Sequence, residues 1–199
     1  MSSRFAPSQL SHHPIQGHGP FDIYATLDVR PLAQYLQASE AQVRTASARA
    51  VRRVRDWLAT QVRRELAARM AAQPAAVKAR IKKGRVSPGS DSFSAYGSRA
   101  VLWIGVNELG VEKLKHRLRQ TPTGVSVGRH EFPHAFVAKV YGRGEKAWRR
   151  LGSKRFPLIK MTVPMEPELE EILPRLQAEA AGRFEQNFEH ELRYVTGRL

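Results

Sequence analysis

A chain of 199 residues with 42% hydrophobic content suits one domain with a sizeable core, and 33 Lys and Arg against 18 Asp and Glu leave a formal net charge of +15. The lack of cysteine excludes a disulfide framework and a thiolate metal site. No apolar run approaches the roughly 18 residues of a membrane span, and the first residues lack a signal-peptide core, so the expectation is assembly in a reducing cytoplasm without membrane contact.

In chain order, Met1–Pro20 is rich in Ser, Pro, His and Gly without periodicity. It is expected to be a flexible arm ahead of a single domain over 21–199. His12, His13 and His18 have no second cluster to complete a metal site. Phe21–Asp28 alternates apolar and polar residues as a half-buried strand does, and Pro31 opens a short helix through Leu32, Tyr35 and Leu36.

From Ser39 to Ala72 the pattern is helical. Val43, Ser47, Val51, Val54, Leu58, Val62, Leu66 and Met70 draw one stripe, with Arg44, Arg49, Arg52, Arg53, Arg55, Arg63, Arg64 and Arg69 largely off it. Ser39 and Gln42 fit a capping box, and Pro74 enforces a break. Such a helix spans roughly 50 Å at about 1.5 Å per residue. By periodicity alone it is an amphipathic helix with a solvated basic face. A further short helix is expected through Val77 and Ile81, capped by Gly84, and then a loop over Ser87–Ser98.

The strands follow. Ala100–Val106 is apolar on both faces, as a central strand is. Leu109–Gln120 reads as a polar, basic connection. Short strands are expected at Val125–Val127 and Ala135–Tyr141, then a turn at Gly142-Arg143-Gly144 and a hairpin partner at Lys146–Leu151. Pro157–Val163 reads as the last strand, with Ile159, Met161 and Val163 on the buried side. Beyond Pro164 and Pro167 a closing helix carries Glu168, Glu170 and Glu171 in its first turns, where carboxylates complement the helix dipole. Its stripe is Leu176, Ala180, Phe184, Phe188, Leu192 and Val195, and Pro174 either kinks it or marks its start. Two long helices with four or five antiparallel strands between them make an α+β order.

No catalytic constellation emerges, so an enzyme is not expected. The glycine-rich turns lack the context of a phosphate cradle, and His116, His130, His134 and His190 are scattered, with Pro133 between the one pair four apart. A divalent cation at Glu166–Glu171 is a less simple account of those carboxylates than the helix start. What stands out is charge. Lys78, Arg80, Lys82, Lys83 and Arg85 form one cluster; Lys113, Lys115, Arg117 and Arg119 a second; and Arg143, Lys146, Arg149, Arg150, Lys154 and Arg155 a third. Residues 1–160 carry net +19 and residues 161–199 net −4. Trp103, Phe136 and Trp148 read as core or interface rather than as a base-stacking platform, so sequence-specific nucleic-acid binding is not expected. Non-specific contact with a polyanion stays open as the alternative function.

Together these pieces resemble the prophage minor tail protein Z family of tail-completion proteins. The resemblance rests on Ala48–Arg55, Val77–Lys83, Ala135-Phe136-Val137 and above all the run from Arg155 to Met165 leading into the closing helix; it covers about Leu27 to Leu199. The His-rich arm and the Glu166–Glu171 run depart from the family pattern. The resemblance implies a structural, non-catalytic protein of a virion tail, assembled in the bacterial host cytoplasm, with a tail-terminator-like fold. It also implies no cofactor, and as partners its own copies, in a ring that is six-fold by family inference, and other tail or neck proteins. On that basis Lys78–Arg85 and Arg143–Arg155 are expected to face neighbouring subunits or the tail lumen, with Glu168, Glu170 and Glu171 as the acidic counterpart.

Overall fold

The computed structural model describes residues 21–23, 30–88, 98–140 and 144–197. The expected arm, the second half of the first strand, most of the Ser87–Ser98 loop and the turn at Gly142 and Arg143 lie outside the described residues. Strand β1 (Phe21–Ile23) precedes helices α1 (Arg30–Tyr35), α2 (Glu40–Arg69) and α3 (Pro74–Lys78). Strands β2 (Ile81–Pro88), β3 (Ser98–Ile104), β4 (Leu109–Gly110), β5 (Arg119–Thr121), β6 (Gly124–Val127) and β7 (His130–Pro133) follow. Then come β8 (Ala135–Ala138), β9 (Lys146–Arg150), β10 (Leu158–Lys160), β11 (Thr162–Val163) and helix α4 (Glu166–Val195). This is an α+β chain with a long helix towards each end, and its described strands pair antiparallel in four small sheets.

The capping box forms. The Ser39 N–H donates to Gln42 Oε1 at 2.8 Å, and the Gln42 N–H to Ser39 Oγ at 3.4 Å. All eight positions of the stripe, from Val43 on α2 to Met70 just past its end, are buried, Ser47 among them. Past its last turn Ala71 adopts φ 47°, and the Ala72 N–H reaches the Ala67 carbonyl at 2.9 Å, closing the helix before Pro74. Helix α4 begins at Glu166 and contains Pro174, so the proline lies inside the helix and does not start it.

The chain packs as two compact units whose boundaries fall inside both long helices. The first comprises the described residues up to Val62, Ile81–Gly105 and the described part of Ile172–Leu199. Its sheet has the order β1-β3-β2, so β3 is central as its two apolar faces require. Its core joins Leu36, Val43, Ala46, Ala50, Val51, Val54 and Ala100 to Ala180, Phe184, Phe188 and Leu192. Phe184 and Phe188 stack at 5.9 Å, one turn apart.

Here one expectation is corrected. Ile81–Arg85 does not continue the short helix; α3 ends at Lys78 and Ile81 pairs with Ile104. Satisfying a full row of backbone groups against the central strand outweighs one more helical turn, and periodicity cannot weigh the two. Gly84 is thus no helix cap. It lies in β2 where a Cβ would stand 3.0 Å from Val101 Cβ, beside a register shift between Lys83 and Val86.

The second unit comprises Arg63–Arg80 and Val106–Glu171. Its sheets run β5-β6-β7, β10-β9-β8 and β11-β4. The Gln120 side chain links the first two, donating to the Gly124 carbonyl at 2.9 Å and accepting the Val137 N–H at 2.9 Å. Leu109–Gln120 is more than a polar connection: Leu109, Val111 and Leu114 are buried, β4 and a 3-10 turn (Val111–Lys113) lie within it, and β5 begins in it. The Gln73 N–H donates to the Lys113 carbonyl at 2.8 Å and the Lys115 N–H to the Ala71 carbonyl at 2.7 Å. β7 was not expected either, because Pro133 closes it and its burial is weak.

The single strand expected at Pro157–Val163 is two. β10 pairs with β9 and β11 with β4; between them the Met161 N–H donates to the Ala147 carbonyl at 2.9 Å and its carbonyl accepts the Val111 N–H at 3.2 Å. Met161 and Val163 are buried as expected, but Ile159 is 38% exposed. It sits on an edge strand opposite Arg149, on a face the alternation marked as buried.

Candidate interaction surface

Most arginines of α2 in the first unit are occupied. Arg49 and Arg53, one turn apart, close on Glu191 at 3.4 and 2.5 Å, and Glu191 is only 3% exposed beside the core residue Leu192. The buried carboxylate is tolerable because two guanidinium groups compensate it. Arg49 also lies 5.7 Å over the Tyr194 ring, and Gln42 Nε2 donates to the Val195 carbonyl at 3.0 Å. Arg55 donates to the Asp56 carboxylate at 2.9 Å and to the Gly84 carbonyl at 2.5 Å, while Lys83 approaches Asp56 at 3.0 Å. Burial pushes the Asp56 carboxyl up, but hydrogen bonds and charge from Lys83 and Arg55 outweigh it and hold it below its ordinary value. These are braces for the fold.

In the second unit the acidic start of α4 is partly occupied in the same way. Arg69 hydrogen-bonds Glu171 and lies 3.6 Å from Glu168, and Arg129 reaches Glu168 at 3.3 Å. The Arg69 guanidinium is pushed further up by Glu171 first and Glu168 second. Arg80 holds the carbonyls of Asn107 and Glu108, and Lys160 pairs with Glu112 at 2.7 Å. Glu166 and Glu170, four residues apart on α4 and both exposed, make no ion pair among the described residues.

The hairpin of β9 and β10 differs. Its register sets Arg150 opposite Leu158 and Arg149 opposite Ile159, and the Leu151 N–H donates to the Pro157 carbonyl at 3.2 Å. One end of β9 is anchored, with Ala147 and Trp148 buried and Trp148 Nε1 donating to the Ala138 carbonyl at 3.3 Å. The other end is bare. Arg149, Arg150, Lys154 and Arg155 are exposed and make no ion pair among the described residues. Arg150 lies 5.6 Å over the Phe136 ring and Arg155 5.7 Å over Phe156. Leu151, Phe156 and Ile159 are three of the five large hydrophobic side chains exposed among the described residues.

The expected site residues are divided between the two units. Lys78 and Arg80 belong to the second unit, Lys82, Lys83 and Arg85 to the first. Lys82 lies 5.2 Å from the Trp103 ring centroid and Lys83 braces Asp56, while Lys78 and Arg85 are exposed. Arg143 lies outside the described residues. Arg149, Arg150, Lys154 and Arg155 lie on one hairpin, and of the acidic trio only Glu170 makes no ion pair among the described residues. Sequence reasoning missed Leu151, Phe156 and Ile159. The available signal was Leu151-Gly152-Ser153-Lys154-Arg155-Phe156-Pro157, a turn segment with apolar residues inside it.

Among the described residues no group of three or more His, Asp or Glu is placed to hold a metal ion. His130, partly buried and 6.4 Å from Phe132, is held below its ordinary pKa by burial and by Arg129, against the opposing pull of Glu168. Nor does any helix of the described residues combine the length and apolarity needed to cross a membrane. Comparisons with protein-family models, with curated proteins and with solved structures found no match.

Proposed function

We propose that this protein is a structural subunit of a phage tail or tail-like particle, acting without catalysis in tail completion at the head-proximal end and assembling with its own copies into a ring. The observation that carries this reading is the β9–β10 hairpin, where exposed apolar side chains stand beside cations that make no ion pair among the described residues. A contiguous exposed apolar group is what a protein surface keeps for a partner. The order of elements, a long basic helix, short antiparallel strands and a closing amphipathic helix, supports it through the family resemblance. Head-to-tail contacts that close give a ring. Its setting would be the virion tail, built in the host cytoplasm, with neck or tail proteins as further partners.

One observation favours a second reading, non-specific nucleic-acid binding: the second unit holds 18 Lys and Arg against 9 Asp and Glu. The two part in solution. Light-scattering mass across a salt series, with negative-stain images, should show a defined oligomer that loosens as salt rises. A monomer at every salt concentration that binds random duplex DNA with a steep salt slope would replace the first reading with the second.

A further inference from the structure

We infer that the tip of the β9–β10 hairpin docks on the start of α4 of a second copy, with Leu151, Phe156 and Ile159 as its apolar contacts and Glu166 and Glu170 as the receiving carboxylates. This inference rests on the self-assembly reading above and names the surfaces that would make the contact.

Four observations carry it. The three apolar side chains are exposed within nine residues, at 65%, 51% and 38%, so water is a poor neighbour for an extended part of this hairpin. Arg149, Arg150, Lys154 and Arg155 stand among them without ion-pair partners among the described residues. Arginine beside aromatic and aliphatic side chains is the composition of a protein-binding centre. Phosphate contact, by contrast, draws on the cations alone and leaves Leu151 and Ile159 without a role.

The complementary charge is on the same chain. Glu166 and Glu170 lie one helical turn apart on a shared face, and like charges at that spacing repel. The helix dipole favours Glu166 in the first turn, but Glu170 lies beyond it. Glu168 and Glu171, between and beside them, are already taken by Arg69 and Arg129, which leaves Glu166 and Glu170 as the carboxylates of this helix start that make no ion pair among the described residues. A basic hairpin and an acidic helix start at different places on one chain make a heterologous contact, the kind that propagates and can close into a ring.

The chain lacks cysteine, so introduced thiols report on contacts without background. The double variant Phe156→Cys with Glu170→Cys should give, on mild oxidation, a ladder of linked subunits beyond the dimer, while each single variant stops at the dimer or below. In parallel, Lys154→Glu with Arg155→Glu should lower the solution mass, and adding Glu166→Lys with Glu170→Lys should restore it, which a misfolded variant could not do. Phe156→Ala should raise the dissociation constant on the order of tenfold or more. Wild-type oligomers that survive the hairpin reversal, with no ladder, would overturn this docking while leaving self-assembly intact. Strictly monomeric wild type at every salt concentration would overturn both. A hairpin reversal that leaves mass unchanged yet abolishes binding to duplex DNA or to anionic vesicles would assign the hairpin to that partner and overturn the docking.

Discussion

On α2, Arg49 and Arg53 close on a carboxylate 3% exposed, one turn from Phe188, which is wholly buried. On the β9–β10 hairpin, Arg149 and Arg150 have no carboxylate among the described residues, and Phe156 is half exposed. Both regions combine adjacent arginines with aromatic residues, yet one is a brace and the other a bare surface. What separates them is the neighbour: Glu191 lies on a helix packed into the same core, whereas among the described residues no carboxylate pairs with Arg149 or Arg150. Arginine density therefore says little about function until the carboxylates are located.

The largest expected contrast is between the two phenylalanines. Phe188→Ala empties a closed site and should cost about 3–5 kcal/mol, whereas Phe156→Ala should stay within about 0.5 kcal/mol in the dissociated subunit. Urea unfolding of both variants measures this, and equal losses would dissolve the distinction between core and surface. Next come two neighbours on the last strands. Met161→Asp buries a charge without compensation and should cost roughly 3 kcal/mol or more, while Ile159→Asp should cost below about 1 kcal/mol. A melting temperature untouched by Met161→Asp would remove that residue from the second unit's core.

Glu191→Ala should cost about 1–3 kcal/mol, less than breaking a fully buried pair, because Arg49 and Arg53 are about half exposed and regain water. Arg150→Ala should fall within about 0.5 kcal/mol. A double-mutant cycle on Arg53 and Glu191 isolates their coupling, and a coupling near zero would mean the brace contributes nothing.

The smallest effect is in pH, and it separates the two units. Asp56 in the first is held below its ordinary value of 3.8, so its contribution is complete above that pH and is lost as pH falls through the folded value. His130 in the second is held below 6.5, so the unfolded chain takes the proton first, and stability falls as pH drops from 6.5 towards the folded value. Melting temperature against pH should lose its slope below 3.8 in Asp56→Asn and just below 6.5 in His130→Gln. Unchanged profiles would show that neither environment matters to stability.

Both long helices were legible because their signals are local. The stripe from Val43 to Met70, the Ser39–Gln42 box and the stripe from Leu176 to Leu192 each need only the 3.6-residue period and a cap. The strand at β3 and the β8–β9 hairpin were legible from period and turn. The segment from Ile81 to Arg85 was not, since a Val77–Ile81 spacing of four suits a helix and only the presence of β3 alongside makes a strand.

The order of residues by itself determined the broad terms of this protein: no cysteine chemistry, two amphipathic helices, a basic body and an acidic end. Tertiary structure alone decided which charges are spent inside. Glu191, Asp56, Glu168 and Glu171 meet their arginines across sequence separations that range from a single residue to 142, and Ile159 turns outward although its alternation places it inside. The physical reason is that periodicity reports which face a residue occupies on its own element, while pairing and exposure depend on what another part of the chain brings to that face.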